Sequence, residues 1–110
     1  MQKRKQEKRL DDRKPVDLLL NKYMGEDPYT VKAADISISG MYLHKLIEPD
    51  LEEGSMVSLE FQLPGSQEVI WARGTVMRES KRWGCDGVGI WFTIVPEIYR
   101  RQIENFVAAA

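Results

Sequence analysis

Residues 57–63, which read Val-Ser-Leu-Glu-Phe-Gln-Leu, carry the clearest indication of the fold class. Apolar and polar residues alternate at every position of this stretch, and the turn-forming pair Pro64-Gly65 follows it. Because every second side chain of a strand lies on the same face, the alternation predicts a strand with one face buried in an apolar core. The fold is therefore expected to contain a sheet that covers a core on one side.

Further strand signals lie on both sides of this stretch. Segments that alternate in polarity, or are rich in β-branched residues, are separated by turn residues, and they predict strands over 16–23, 29–36, 41–46, 68–79 and 86–94. Six strands without intervening helices indicate an all-β fold, either an antiparallel barrel or a sandwich. Pro96 and Glu97 then begin an amphipathic pattern that predicts one C-terminal α-helix over about residues 96–107, which plugs or flanks the sheet.

Length and composition limit the remaining possibilities. With 110 residues, 43% of them hydrophobic and 30% charged, the chain has room for one compact domain. Cys85 is the only cysteine, so no intramolecular disulfide can form, and a cytoplasmic location is expected. No window approaches the roughly 18 apolar residues that a membrane-spanning helix requires, so we expect no membrane insertion.

The net charge of -1 hides an uneven distribution. Residues 1–14 hold seven basic and three acidic residues, a charge of +4, which leaves -5 for the rest of the chain. Apart from Met1 and Leu10 this segment has no apolar side chain that could pack on a core, so it is expected to be a flexible arm before a domain over 15–107. Basic arms often bind phosphates.

Residues for catalysis are scarce. His44 is the only histidine and is expected to lie partly exposed at a strand end, and Cys85 is expected to be a small residue at a strand entry. No glycine-rich phosphate loop leads into a helix, and the His and Cys density of a metal site is absent from the sequence. The sequence therefore predicts neither an enzyme nor a bound metal or cofactor.

Two short motifs have complementary chemistry. Arg9 and Arg13 form an RxxxR motif before the first strand, and residues 35–40 form a DxSxxG motif where the second strand ends. An arginine fork can bind a phosphate, or the N7 and O6 acceptors of guanine, through two hydrogen bonds, whereas Asp35 can accept hydrogen bonds from the guanine ring N–H and amino group. Ser37 is expected on the same strand face as Asp35, and Gly40 allows either a positive φ or a close backbone approach. A ligand with guanine and phosphate groups fits this set.

The two motifs, about twenty residues apart, and the final strand with Gly87-Val88-Gly89-Ile90-Trp91-Phe92 make the chain resemble a PilZ domain over nearly its whole length. The resemblance implies a six-stranded antiparallel split barrel with a C-terminal helix. It also implies a receptor for the bacterial second messenger cyclic di-GMP. Arg9 and Arg13 would hold phosphates and guanine edges, and Asp35, Ser37 and Gly40 would form a base pocket. Lys8 resembles basic residues of relatives that take up a stacked pair of ligand molecules.

The resemblance also implies a mechanism and a partner. The basic arm would fold onto the barrel when it meets the two phosphates, and the new surface would signal to an effector protein that the sequence does not identify. Two other functions compete with this one. The first is a PilZ-like interaction adaptor with a vestigial nucleotide site. The second is a basic-armed barrel that binds nucleic acid, which the -5 charge of the remaining chain disfavours.

Overall fold

The computed structural model describes residues 13–44, 52–77 and 87–109. Most of these residues form strands, and one α-helix follows the last strand. The elements are β1 (Lys14–Met24), β2 (Asp27–Ile36), β3 (Gly40–His44), β4 (Met56–Phe61), β5 (Ile70–Met77), β6 (Gly87–Ile94) and α1 (Glu97–Ala108).

The six strands close into an antiparallel barrel in the order β1-β2-β3-β6-β5-β4. Consecutive strands pair as hairpins at β1–β2, β2–β3, β4–β5 and β5–β6, whereas β1–β4 and β3–β6 join strands that are far apart in the sequence. Of the two architectures that the strand pattern left open, the barrel is confirmed, as is the single C-terminal helix.

The alternation in β4 and β5 places apolar side chains in the barrel interior. Val57, Leu59 and Phe61 of β4 are buried, and Ile70, Ala72 and Val76 of β5 lie on the same side of the sheet. The intervening residues are partly exposed, as the period of two predicts. Lys22 of β1 is an exception to the link between polarity and exposure. It is a charged residue, yet its side chain is fully buried and has an interaction partner.

Strand ends differ from the predicted ones by a few residues. β4 ends at Phe61, and a turn begins two residues later, where Ser66 N–H donates to the Leu63 carbonyl. β5 begins at Ile70 rather than at Glu68, whose N–H donates to Ser66 Oγ. His44 is the partly exposed last residue of β3, as predicted, whereas Cys85 lies outside the described residues.

Helix α1 packs at the end of the barrel where β1 begins and β2 ends. Ile103 belongs to the core cluster, and Tyr99, Phe106 and Val107 pack against that cluster. The Lys14 ammonium, at the first residue of β1, donates to the carbonyls of Phe106 and Ala109 at 3.0 and 3.3 Å. The helix, the start of β1 and the turn after β2 therefore meet at one end of the molecule.

Candidate ligand-binding site

The DxSxxG motif forms a tight turn between β2 and β3. Ser37 N–H donates to the Gly40 carbonyl at 2.8 Å, and Ser37 Oγ accepts a hydrogen bond from Ser39 N–H at 3.2 Å. Serine favours turns because its hydroxyl can bond to the backbone two residues further along the chain. β2 ends at Ile36, so Ser37 belongs to the turn rather than to the extended strand that its spacing from Asp35 suggested. Its side chain is buried.

Gly40 is required by a close approach of two backbones. A Cβ atom at this position would lie 2.0 Å from the Ile90 carbonyl oxygen of β6, well inside the distance at which real atoms meet. The positive-φ glycines of the described residues are Gly25, Gly54 and Gly65, so a left-handed backbone is not the reason for glycine here. Phe92 N–H also donates to the Ser39 carbonyl at 2.8 Å, which fixes the turn against β6.

The second arginine of RxxxR pairs with the aspartate of DxSxxG. Arg13 Nη1 lies 3.0 Å from Asp35 Oδ1, and the side chains are 19% and 0% exposed. The pairing of β1 with β2 explains the contact, since Lys14 lies opposite Ile36 and Pro15 opposite Asp35. A guanidinium has five N–H donors, so this contact leaves donors for an anion. Two motifs 22 residues apart therefore form one charged cluster.

Tyr42 lies beside Asp35 in the sheet. The two residues are direct partners in the β2–β3 pairing, and Tyr42 lies opposite Gly89 of β6 on its other side. Although Tyr42 alternates with the core residues Met41 and Leu43, its side chain is fully buried. Its ring occupies the space that a side chain at Gly87 would take, because a Cβ there would lie 2.6 Å from Tyr42 Cε2. Glycine at position 87 thus leaves room for the Tyr42 ring and for the Leu43 carbonyl oxygen, which lies closer still.

An open cavity of about 330 Å³ adjoins the turn on the side of helix α1. It is lined by Ile38, Ser39, Phe92, Thr93, Val95, Arg100 and Ile103. Its polar side chains are those of Ser39, Thr93 and Arg100, of which Thr93 also donates to a carbonyl and Arg100 also pairs with Glu104. Hydroxyls and a guanidinium suit an anionic or hydrogen-bonding group. Ser39 is shared between this cavity and the turn, so the cavity extends the candidate site toward the helix.

The structure brings four of the six predicted site residues together. Arg13 contacts Asp35, and Ser37 and Gly40 belong to the turn that follows Asp35. The other two, Lys8 and Arg9, lie outside the described residues. The sequence did not point to Tyr42 or to Trp91, which lies opposite Gly40 in the β3–β6 pairing. Their proximity to the motif follows from the strand register, which the sequence pattern does not reveal.

Comparison with protein families matches residues 2–109 to the PilZ domain. The chain belongs to the PilZ domain family. PilZ domains are receptor or adaptor domains rather than enzymes, and the family includes receptors for cyclic di-GMP. A comparison with curated protein sequences found no match.

Solved structures share the PilZ fold with this chain at low sequence identity. The inhibitor of motility MotI/DgrA from Bacillus subtilis aligns with a TM-score of 0.74 and 13% identity, over 86% of this PilZ domain and 47% of that chain. The PilZ domain of CeSA from a cellulose-synthesizing bacterium aligns with a TM-score of 0.63 and 19% identity, over 87% and 94% of the two chains.

A third structure contains a ligand. PlzA from Borreliella burgdorferi, in complex with cyclic di-GMP, aligns with a TM-score of 0.64 and 16% identity, over 96% of this PilZ domain and 43% of that protein. The chain thus spans less than half the length of MotI and of PlzA. In the described part of the chain, the single helix has 12 residues, and no helix is long and apolar enough to span a membrane.

Proposed function

We propose that this PilZ domain is a receptor for cyclic di-GMP. Arg13, Asp35, Ser37 and Gly40 would form the binding surface, and Arg9 and Lys8 would complete it from the preceding segment. The observation that carries the proposal is the 3.0 Å ion pair between Arg13 and Asp35, because it joins the two motifs into one cluster. The complex of the structurally similar PlzA with cyclic di-GMP supports the choice of ligand.

The chemistry of the cluster matches that of the ligand. Cyclic di-GMP carries two phosphates and two guanines, so it needs both cationic donors and acceptors for the guanine N–H groups. Arg13 supplies donors that suit a phosphate oxygen or the N7 and O6 atoms of guanine. Asp35 supplies an acceptor whose position is fixed by its burial and by its contact with Arg13.

The proposal includes a downstream partner. A receptor domain acts by changing a surface that another protein recognises. We propose that the basic segment before β1 folds over the bound ligand and forms this surface, which an effector protein then binds. The identity of that effector is not part of the proposal.

Isothermal titration with cyclic di-GMP tests the receptor function. We expect saturable binding by the native chain, and an affinity about ten- to a hundredfold lower for Arg13→Ala and for Arg9→Ala, since each loses charge-assisted hydrogen bonds worth about 1.5–3 kcal/mol. Arg101→Ala is the matched control, because Arg101 is exposed on α1 and pairs with Glu97 of the same helix. The control should bind as the native chain does.

Circular dichroism and a thermal melt show whether each variant folds. This matters for Arg13→Ala, which removes a partner of the buried Asp35. Arg13→Lys keeps the charge without the planar fork and should show an intermediate affinity. Unchanged affinity in both alanine variants would overturn the site, and absence of binding by the native chain would leave an adaptor role as the better explanation.

A further inference from the structure

Trp91 is a large aromatic side chain next to the candidate site. It lies on β6, directly opposite Gly40 of β3 on one side and Thr75 of β5 on the other. Its side chain is 55% exposed. The position is well defined, because the backbone hydrogen bond from Phe92 N–H to the Ser39 carbonyl holds this part of β6 against the turn.

The side chains directly beside Trp91 are small. Side chains two residues apart on a strand share a face, so Gly89 and Thr93 are its neighbours along β6. Across the strands, Gly40 has no side chain and Thr75 has a short one. The indole is therefore partly exposed and has no large side chain directly opposite it in the pairing register.

We propose that Trp91 stacks on a guanine base of the bound ligand. This inference rests on the proposed function and adds a binding residue to it. A purine presents a flat π face, and stacking of bases on exposed aromatic side chains is a common source of affinity in nucleotide recognition. The polar groups at Asp35 and Arg13 recognise the edges of the ligand, and Trp91 contacts a face.

The strand geometry is compatible with a ligand that has two bases. Asp35 lies on β2, and β3 separates it from β6. Neighbouring strands are about 4.8 Å apart, so the backbones of β2 and β6 are separated by about 10 Å across the sheet. Asp35 is in register with Tyr42 and Gly89, and Gly89 lies two residues before Trp91 on β6. A dinucleotide can have one guanine bound at its edge by Asp35 while another part of the molecule, including its second base, reaches the indole.

Titration of tryptophan variants with cyclic di-GMP tests this inference. We expect Trp91→Ala to lower the affinity about tenfold and Trp91→Phe to retain most of it. Trp91→Leu keeps apolar area but has no π face, so it should bind nearly as weakly as the alanine variant. Leu19→Ala is the control, because Leu19 is a 66% exposed apolar residue on β1. Its affinity should equal that of the native chain.

A fluorescence measurement provides a second readout that does not depend on a loss of affinity. In the variant Trp71→Phe/Trp83→Phe, Trp91 is the only tryptophan, and stacking on guanine should quench its emission as cyclic di-GMP is added. If the native chain binds but Trp91→Ala binds equally well and the emission does not change, the stacking role is overturned and the receptor function stands. If the native chain does not bind, both are overturned.

Discussion

At the scale of single residues, Gly40 has the least room for a side chain among the described glycines. The carbonyl of Ile90 lies where a methyl group would be, and it belongs to the backbone of a paired strand that cannot rotate away. The absent side chain is what allows the DxSxxG turn to lie directly on β6. The shape of the site therefore depends on the absence of a Cβ atom at Gly40.

Gly40→Ala should lower the free energy of unfolding by about 3 kcal/mol, at the upper end of the usual cost of overpacking, because backbone must move to relieve the overlap. Urea denaturation measures this loss. Gly25→Ala is the control: no atom lies within 4 Å of its would-be Cβ, but its φ of 66° is unfavourable for alanine. That strain should cost only about 1 kcal/mol. A smaller loss at Gly40 than at Gly25 would contradict this explanation.

The candidate site was predictable from the sequence where residue type reveals chemistry. The arginine and DxSxxG motifs have functional groups suited to phosphate and guanine, and the structure places Arg13 beside Asp35. Their role in binding stays a prediction. Trp91 and Tyr42 were not predictable, because their proximity to the motif depends on how β3 pairs with β6 across more than forty residues.

At the scale of secondary structure, the last turn of α1 lacks a basic residue of its own. Lys14 of β1 supplies the cation instead: its ammonium bonds to two carbonyls at the helix end and lies 4.2 Å from the centre of the Phe106 ring. A cation at this end offsets the partial negative charge of the exposed carbonyls. Arg13 and Lys14 are adjacent in sequence but have different contacts. Arg13 pairs with Asp35 of the candidate site, and Lys14 bonds to the end of α1.

Lys14→Met should destabilise the protein by about 1 kcal/mol, since it keeps the apolar stem but removes the charge from the helix end and from the Phe106 ring. Amide hydrogen exchange should become faster in the last turn of α1. Lys32→Met is the control, because it breaks only the exposed ion pair with Asp17 and should cost less than about 0.5 kcal/mol. Equal losses in the two variants would argue against a special role for Lys14.

The secondary structure was largely predictable because alternation and helical spacing are local properties of the sequence. The buried faces of β4 and β5 follow it residue by residue. Strand ends were less predictable, since hydrogen bonds in the turns decide them. The shifts in register within the β1–β2 and β2–β3 pairings leave no mark in the polarity pattern, yet the second of them occurs next to Asp35.

At the scale of the whole molecule, the sequence separates a basic segment from an acidic remainder. Residues 1–14 carry +4 and the rest carries -5. A small anion can be attracted by the basic segment without coming close to much of the acidic remainder, whereas a long nucleic acid would extend over both and be repelled by the remainder. This charge distribution favours a compact ligand such as cyclic di-GMP.

Trypsin should therefore cleave after the basic residues between positions 3 and 13 more slowly when cyclic di-GMP is present, because the proposed closure of this segment on the ligand protects the backbone. Mass spectrometry of the products over time measures the rate. GMP, which carries one base and one phosphate group, serves as the control and should give little protection. Equal cleavage rates with and without cyclic di-GMP would contradict the closure.

The strand order of the barrel also affects when the protein can fold. β6 comes last in the sequence but lies between β3 and β5. During synthesis, β3 and β5 have no common neighbour until residues 87–94 have left the ribosome, and each exposes one unpaired strand edge until then. The barrel can close only when distant parts of the chain come into contact. We therefore expect folding in the millisecond-to-second range that is typical of barrels. The nascent chain is thus most vulnerable to aggregation just before its last strand appears.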